Sequence, residues 1–202
     1  MVKNTLKNKK YGRGGGKNKT VKKIKRGGEI PDLLNKTQFV TNDKFIKNEL
    51  LKLNIKQSKA YQDKRDDFYF FIENTDLCKG NDSMNESIKQ NITNTEKTFI
   101  FINNGYAVSG LLIFWIDNDG IQLESICVPD KSIPGTGTFL LSLLKNLSDN
   151  INKILLVTSA NNLSDKFYEK NGLSKRSTNN YEYKYLPTTI FDIGKMVVNT
   201  KI

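Results

Sequence analysis

Residues 98–128 constrain the fold more than any other part of the chain. Three runs rich in β-branched and aromatic residues follow one another: TFIFI (Thr98 to Ile102), YAVSGLLIFWI (Tyr106 to Ile116) and IQLESICV (Ile121 to Val128). Only NNG (Asn103 to Gly105) and DNDG (Asp117 to Gly120) separate them, and asparagine, aspartate and glycine are the residues that tolerate tight turns. Connections this short allow only an antiparallel meander, since parallel pairing needs a long crossover. After the loop PDKSIPGTG the period changes, and TFLLSLLKNLSDN carries leucines at helical spacing. A strand KILLVTSA (Lys153 to Ala160) comes next. It is followed by a helix NLSDKFYEKN, with Lys170 in its last turn and Gly172 just beyond it, and a hairpin through YEYKYL (Tyr181 to Leu186). The order predicts an α/β fold: a mixed sheet in which an antiparallel meander is followed by helix, strand, helix and strands.

Upstream the pattern is looser. TNDKFIKNELLKLN (Thr41 to Asn54) approximates helical spacing, with Thr41 or Asn42 available as a cap. The aromatic run DDFYFFIEN (Asp66 to Asn74) reads as a strand, and the polar stretch Leu77 to Lys97 as partly helical over Met84 to Ile92. The first 30 residues differ in kind. They hold 11 lysines and arginines against one acid, Glu29, whereas residues 31–202 hold 21 basic and 20 acidic residues. Almost all of the +11 net charge therefore belongs to a lysine- and glycine-rich leader, which has too few apolar residues to fold and is expected to be disordered. The resulting division is a leader (1–30), a helical N-terminal extension (31–65), a main domain (66–186) and a C-terminal extension (187–202). The last could add an edge strand or meet a second subunit, and the oligomeric state stays open.

Composition removes several chemistries. Without histidine there is no Ser-His or Cys-His nucleophilic pair and no imidazole base, so protons must move through carboxylates, tyrosine, lysine, a terminal amine or water. Two cysteines, Cys78 and Cys127, are too few for a disulfide scaffold or a zinc site and are expected as reduced thiols; no metal is expected. The basic N-terminus runs into glycine and lysine rather than an apolar segment. The longest apolar stretch, Ala107 to Ile116, falls short of the roughly 20 residues that span a bilayer. The expectation is an intracellular chain, cytoplasmic or nuclear, with no membrane partner.

The third strand of the meander is irregular. Ile121 and Leu123 share one parity, Ile126 and Val128 the other. A β-bulge would produce that switch and often lies beside an active site; a strand buried on both faces would also allow it. Directly after it, Ser132-Ile133-Pro134-Gly135-Thr136-Gly137-Thr138 opens the leucine-rich helix, a place where backbone N–H groups favour a phosphate. The loop is not a nucleotidase phosphate loop, because Thr138 stands where that motif needs lysine.

The stretch LESICVPDKSIPGTGTFLLSLL resembles motif A of the GNAT superfamily of N-acetyltransferases, with Val128 and Pro129 at the expected distance from Gly135 and Gly137. NNLSDKFYEKNGL is similar to the family's motif B, matched by Asn161, Phe167, Tyr168, Lys170, Gly172 and Leu173. The resemblance covers roughly Asp66 to Leu186 and implies an enzyme, an acyl-CoA N-acyltransferase that moves an acetyl group from acetyl-CoA to a primary amine. It departs from the family at Ser132, where arginine or glutamine is usual, and at Pro134, which has no N–H to offer.

What the resemblance implies about the site is specific. Tyr168 matches the general acid that protonates the leaving thiolate, and Glu124 an acid that takes the amine proton, often through water. Acetyl-CoA would meet Ile126, Cys127 and Val128 along the strand, and Ser132, Ile133, Gly135, Thr136, Gly137 and Thr138 in the loop. Asn161 and Tyr168 would complete the contacts, Asn161 also capping its helix. The plainer readings are a core-edge tyrosine, a salt-bridged surface glutamate and, for Cys127, a small buried hydrophobe. A reading from another class is a weakly active or inactive module of this kind in a nucleic-acid-associated protein, tethered through the phosphate-neutralising leader. The leader also reads as a solvated tail or a nuclear-targeting segment. The acceptor amine, small molecule or protein, has no readable motif.

Overall fold

The computed structural model describes residues 30–58, 77–78, 81–92, 94–105, 107–130 and 132–185. Among them the chain runs α1 (Ile30–Lys36), β1 (Thr37–Val40), α2 (Lys44–Lys52), β2 (Lys56–Gln57), α3 (Asp82–Ile92), β3 (Thr98–Asn103), β4 (Val108–Ile116) and β5 (Ile121–Cys127). It continues with α4 (Thr136–Ile151), β6 (Leu155–Thr158), α5 (Asn162–Lys170), β7 (Ser174–Ser177) and β8 (Asn180–Tyr183). The expected leader, the strand over Asp66 to Asn74 and the C-terminal extension lie outside the described residues.

All eight strands form one sheet in the order β2-β1-β3-β4-β5-β6-β8-β7. The meander is the expected one: β3, β4 and β5 pair antiparallel, with Leu112 between Ile100 and Ile126. Asp117 closes its second turn by accepting the N–H groups of Asp119 and Gly120 at 2.9 and 3.0 Å. From β5 the chain crosses over through α4 and returns as β6, parallel to β5. The final strands β8 and β7 then extend the sheet antiparallel.

Two cores lie on opposite faces. On one, Phe139, Leu140, Leu143, Leu144 and Leu147 of α4 are buried with Ile46 and Leu50 of α2 and Tyr168 of α5, against Leu112, Phe114, Ile121 and Leu155. Each buried aliphatic side chain contributes roughly 1.5–3 kcal/mol, which makes α4 the strongest single anchor. On the other face, Ile88 of α3 joins Leu77, Cys78, Phe99, Phe101, Leu111, Ile113 and Cys127.

Three features differ from the sequence expectations. The strand Thr37–Val40 has too few residues to show a period, yet it pairs with β3, with Phe39 opposite Ile100, so residues 31–65 supply sheet as well as helix. The α2 cap is Asp43, not Thr41 or Asn42: its carboxylate accepts from Phe45 and Ile46 N–H at 2.7 and 3.1 Å. Thr41 instead shares a buried 2.9 Å hydrogen bond with the Thr98 hydroxyl, joining β1 to β3. Lastly, Cys78 and Cys127 are not free thiols but form a disulfide across 49 residues, with Cα atoms 5.3 Å apart. Two cysteines in a composition count carry no information on whether folding brings them together.

Gly120 provides a sharp test of the meander. Its φ is +151°, and a Cβ there would stand 2.3 Å from the Ile154 carbonyl oxygen, which already accepts the Ile121 N–H. Gly120→Ala is expected to lower stability by at least about 2 kcal/mol through strain and clash, read as a lower urea midpoint.

Candidate functional site

The irregular third strand is bulged. Ser125 stands opposite Ile113 and Leu123 opposite Phe114, so Glu124 is an extra residue without a partner on β4. Glu124 and Ser125 therefore both turn toward the α3 face, and Leu123 and Ile126 toward the α4 face, which accounts for the switch of apolar parity.

The bulge also separates two strands. β5 pairs with β6 only as far as Leu123 opposite Val157, while on its other side it stays paired with β4 through Cys127. From Glu124 onward β5 and β6 diverge, and the edge of Ser125 to Val128 that faces away from β4 has no ladder partner among the described residues. Such an edge is a backbone hydrogen-bonding strip lining an opening in the sheet.

At the end of the opening lies the first turn of α4. Its N-cap is Gly135 at φ +93°, which offers no side chain to the first-turn N–H groups, and a Cβ there would meet nothing within 4 Å. Open space before an uncapped helix N-terminus suits an anionic group. A Cβ on Gly137 would stand 3.5 Å from both Val128 Cγ2 and Phe167 Cε2, so β5, α4 and α5 converge there. Gly110 of β4 is equally specific: a Cβ would come within 2.7 Å of Thr136 Cγ2, so its absence lets the helix turn sit on the sheet.

Tyr168 projects from α5 into the α4-side core, next to Phe167, whose ring lies near Gly137. It is 6 % exposed, in edge contact with Phe167 (5.3 Å between ring centres) and tilted against Tyr181 (5.8 Å). Burial pushes its phenol up to about 12, so it stays protonated at any ordinary pH. Its hydroxyl has no hydrogen-bond partner among the described residues.

No protein-family model matches the chain, and no curated protein matches it in sequence. Solved structures do match. Tetrahymena GCN5 is 16 % identical and superposes over 77 % of this chain and 99 % of its own, with a TM-score of 0.52. An acetyltransferase of the GNAT family from Bacillus cereus is 21 % identical over 54 % of this chain and 83 % of its own, with a TM-score of 0.40.

The chain has the GNAT fold. Within that fold, the residues singled out by sequence fall into two groups. Ile126, Cys127 and Val128 line the opening, Gly135, Thr136, Gly137 and Thr138 form the helix end beside it, and Tyr168 is on α5. Ser132 and Asn161 are close by in the chain, but their side chains are engaged elsewhere. The Ser132 hydroxyl donates to the Ser109 carbonyl at 2.6 Å, tying the loop to β4, with Ile133 half-buried beside it. Asn161 caps α5, accepting from Leu163 and Ser164 N–H at 3.0 Å each, while Ser164 reciprocates. Cys127 is engaged by the disulfide. Among the described residues no group of three or more potential metal ligands converges.

Glu124 has partners that no motif indicated. Asn91 Nδ2 donates to Oε1 at 2.5 Å, and the Lys97 ammonium stands 2.6 Å from Oε2 and 3.4 Å above the Trp115 ring. These residues come from α3, the turn before β3, and β4, so only the folded sheet assembles them. Both ion-pair side chains are largely shielded, 14 % and 21 % exposed, although water still reaches each. A double-mutant cycle with Lys97→Met and Glu124→Gln should give a coupling of about 1–2 kcal/mol in urea unfolding. The exposed Lys36–Asp32 pair should give about 0.5 kcal/mol or less.

Proposed function

We propose that this chain is an acetyl-CoA-dependent N-acetyltransferase that passes the acetyl group directly to a primary amine in a ternary complex. The observation that carries the reading is the divergence of β5 from β6 at a bulge, with a buried but protonated tyrosine on the adjoining helix. The unpaired strip from Ser125 to Val128 is suited to hydrogen-bond an extended pantetheine arm and polarise the thioester carbonyl. The N–H groups of Gly137 and Thr138 at the uncapped end of α4 suit a pyrophosphate, and the open space at Gly135 leaves room for it. Acetyl-CoA supplies the activated acyl carbon and a thiolate leaving group.

In this reading Tyr168 donates its proton to the departing thiolate. A buried neutral phenol is a suitable donor to an anion formed in the same apolar setting. Glu124 carries a second role. Its carboxylate, held by Asn91 and Lys97, takes the proton of the incoming ammonium by relay through water.

One observation favours a second reading, a weakly active or inactive GNAT-fold module in a nucleic-acid-associated protein held by its basic leader. The Ser132 hydroxyl is committed to Ser109 and Pro134 has no N–H, which leaves the loop fewer donors for phosphate. Calorimetric titration with acetyl-CoA separates the two: saturable binding with CoA release to an amine panel supports the enzyme, and no heat at millimolar acetyl-CoA overturns it.

Tyr168→Phe is expected to lower kcat by about 10²–10³-fold with acetyl-CoA affinity within about threefold of wild type. Because burial holds the phenol near 12, loss of its proton should not limit kcat below about pH 10. An alkaline limb near pH 9 that survives in Tyr168→Phe would assign the general acid to another group.

A further inference from the structure

Among the described residues, helix α3 meets the sheet through little apolar contact. Among its residues with described side chains only Ile88 is buried, with Met84 partly packed beside it. An isolated helix of this length does not persist in water, and one buried aliphatic side chain is a weak hold. Two other ties are seen among the described residues. Near its C-terminal end Asn91 binds Glu124. Ahead of its N-terminus Cys78 is bonded to Cys127, and Asn85 of α3 accepts the Cys78 N–H at 3.0 Å, so the disulfide segment and the helix act together. Both ties end on β5, at Glu124 and at Cys127. These positions bracket the stretch that has parted from β6.

We propose that the Cys78–Cys127 disulfide is a reducible clamp: a dithiol reductant opens it, and α3 is thereby released from the diverging half of β5. The reductant thiolate attacks Cys78 Sγ, because Cys78 is the more exposed residue, at 9 % against 4 %, and Met84 Sδ lies 3.5 Å from Cys127 Sγ. The disulfide breaks, the electron pair leaves on Cys127 Sγ, and that sulfur takes a proton. The second thiol of the reductant then displaces Cys78 as a thiol. Two electrons and two protons pass to the protein, and the reductant ends as its own disulfide. Once freed, α3 uncovers Leu111 and Ile113 and withdraws Asn91 from Glu124. The opposite face, held by the leucines of α4, is unaffected. The consequence for catalysis rests on the transferase reading: reduction raises KM for the amine, because Glu124 loses Asn91.

The test is hydrogen–deuterium exchange on the full chain, purified without reductant, before and after dithiothreitol, with cysteines counted by alkylation. Neither cysteine should alkylate before reduction and both should afterwards. Amides of residues 81–92 should then exchange about tenfold faster or more, with residues 136–151 unchanged. Cys78→Ser should match the reduced wild type and ignore dithiothreitol; if it does not fold, the reduced wild type decides. Unchanged exchange over 81–92 in protein with both thiols free overturns the clamp, as does full alkylation before any reductant. Acetyl-CoA titration of the same samples keeps the readings apart, because absence of binding in both removes the transferase and leaves the exchange result standing.

Discussion

One extra residue in β5 sets the geometry of everything around it. An unbulged strand would keep pairing with both neighbours and close the sheet. With Glu124 inserted, the strand stays on β4, lets go of β6 and turns two successive side chains to the same face. The opening in the sheet, the unpaired backbone strip beside it and the exposure of Val128 all descend from that insertion. The Glu124 carboxylate is also where the α3 face attaches to the site, through Asn91 and Lys97.

The two sides of the sheet are fastened differently, and the difference follows from composition. Helix α4 presents a continuous apolar face, and Gly110 allows its first turn to rest on β4, so the helix end beside the opening is rigidly placed. Helix α3 buries far less apolar surface among the described residues, and to Ile88 it adds a carboxamide–carboxylate contact and a nearby covalent bond. The acetyl-donor side of the proposed site thus rests on a packed core. The other side rests on a few directed interactions.

Legibility followed the range of the interactions. The meander, α4 and the cap of α5 are specified by neighbours within a few residues: the turn residues around Gly120, the leucine spacing, and Asn161 with Ser164. The switch of parity in β5 was visible as an irregularity, but choosing between a bulge and a strand buried on both faces needed the register against Phe114 and Ile113. The strand Thr37–Val40 was not legible, since four residues carry no period and their pairing depends on β3, some sixty residues away. Lys97 and Asn91 carried no signal, because a polar stretch does not say which carboxylate it will meet.

The sequence alone determined the order of elements from Thr98 onward, the charge confined to the leader and the absence of imidazole chemistry. It also carried the spacing of glycines and aromatics that places a helix end and a tyrosine near the third strand. Each is set by residue identity or by contacts a few residues apart. Tertiary structure alone decided that Glu124 is the bulged residue and ion-paired with Lys97, that Tyr168 is buried with its phenol pushed up, and that Cys78 and Cys127 are joined. Those facts depend on distances between segments far apart in the chain, which exist only once the two cores have brought the sheet and helices together.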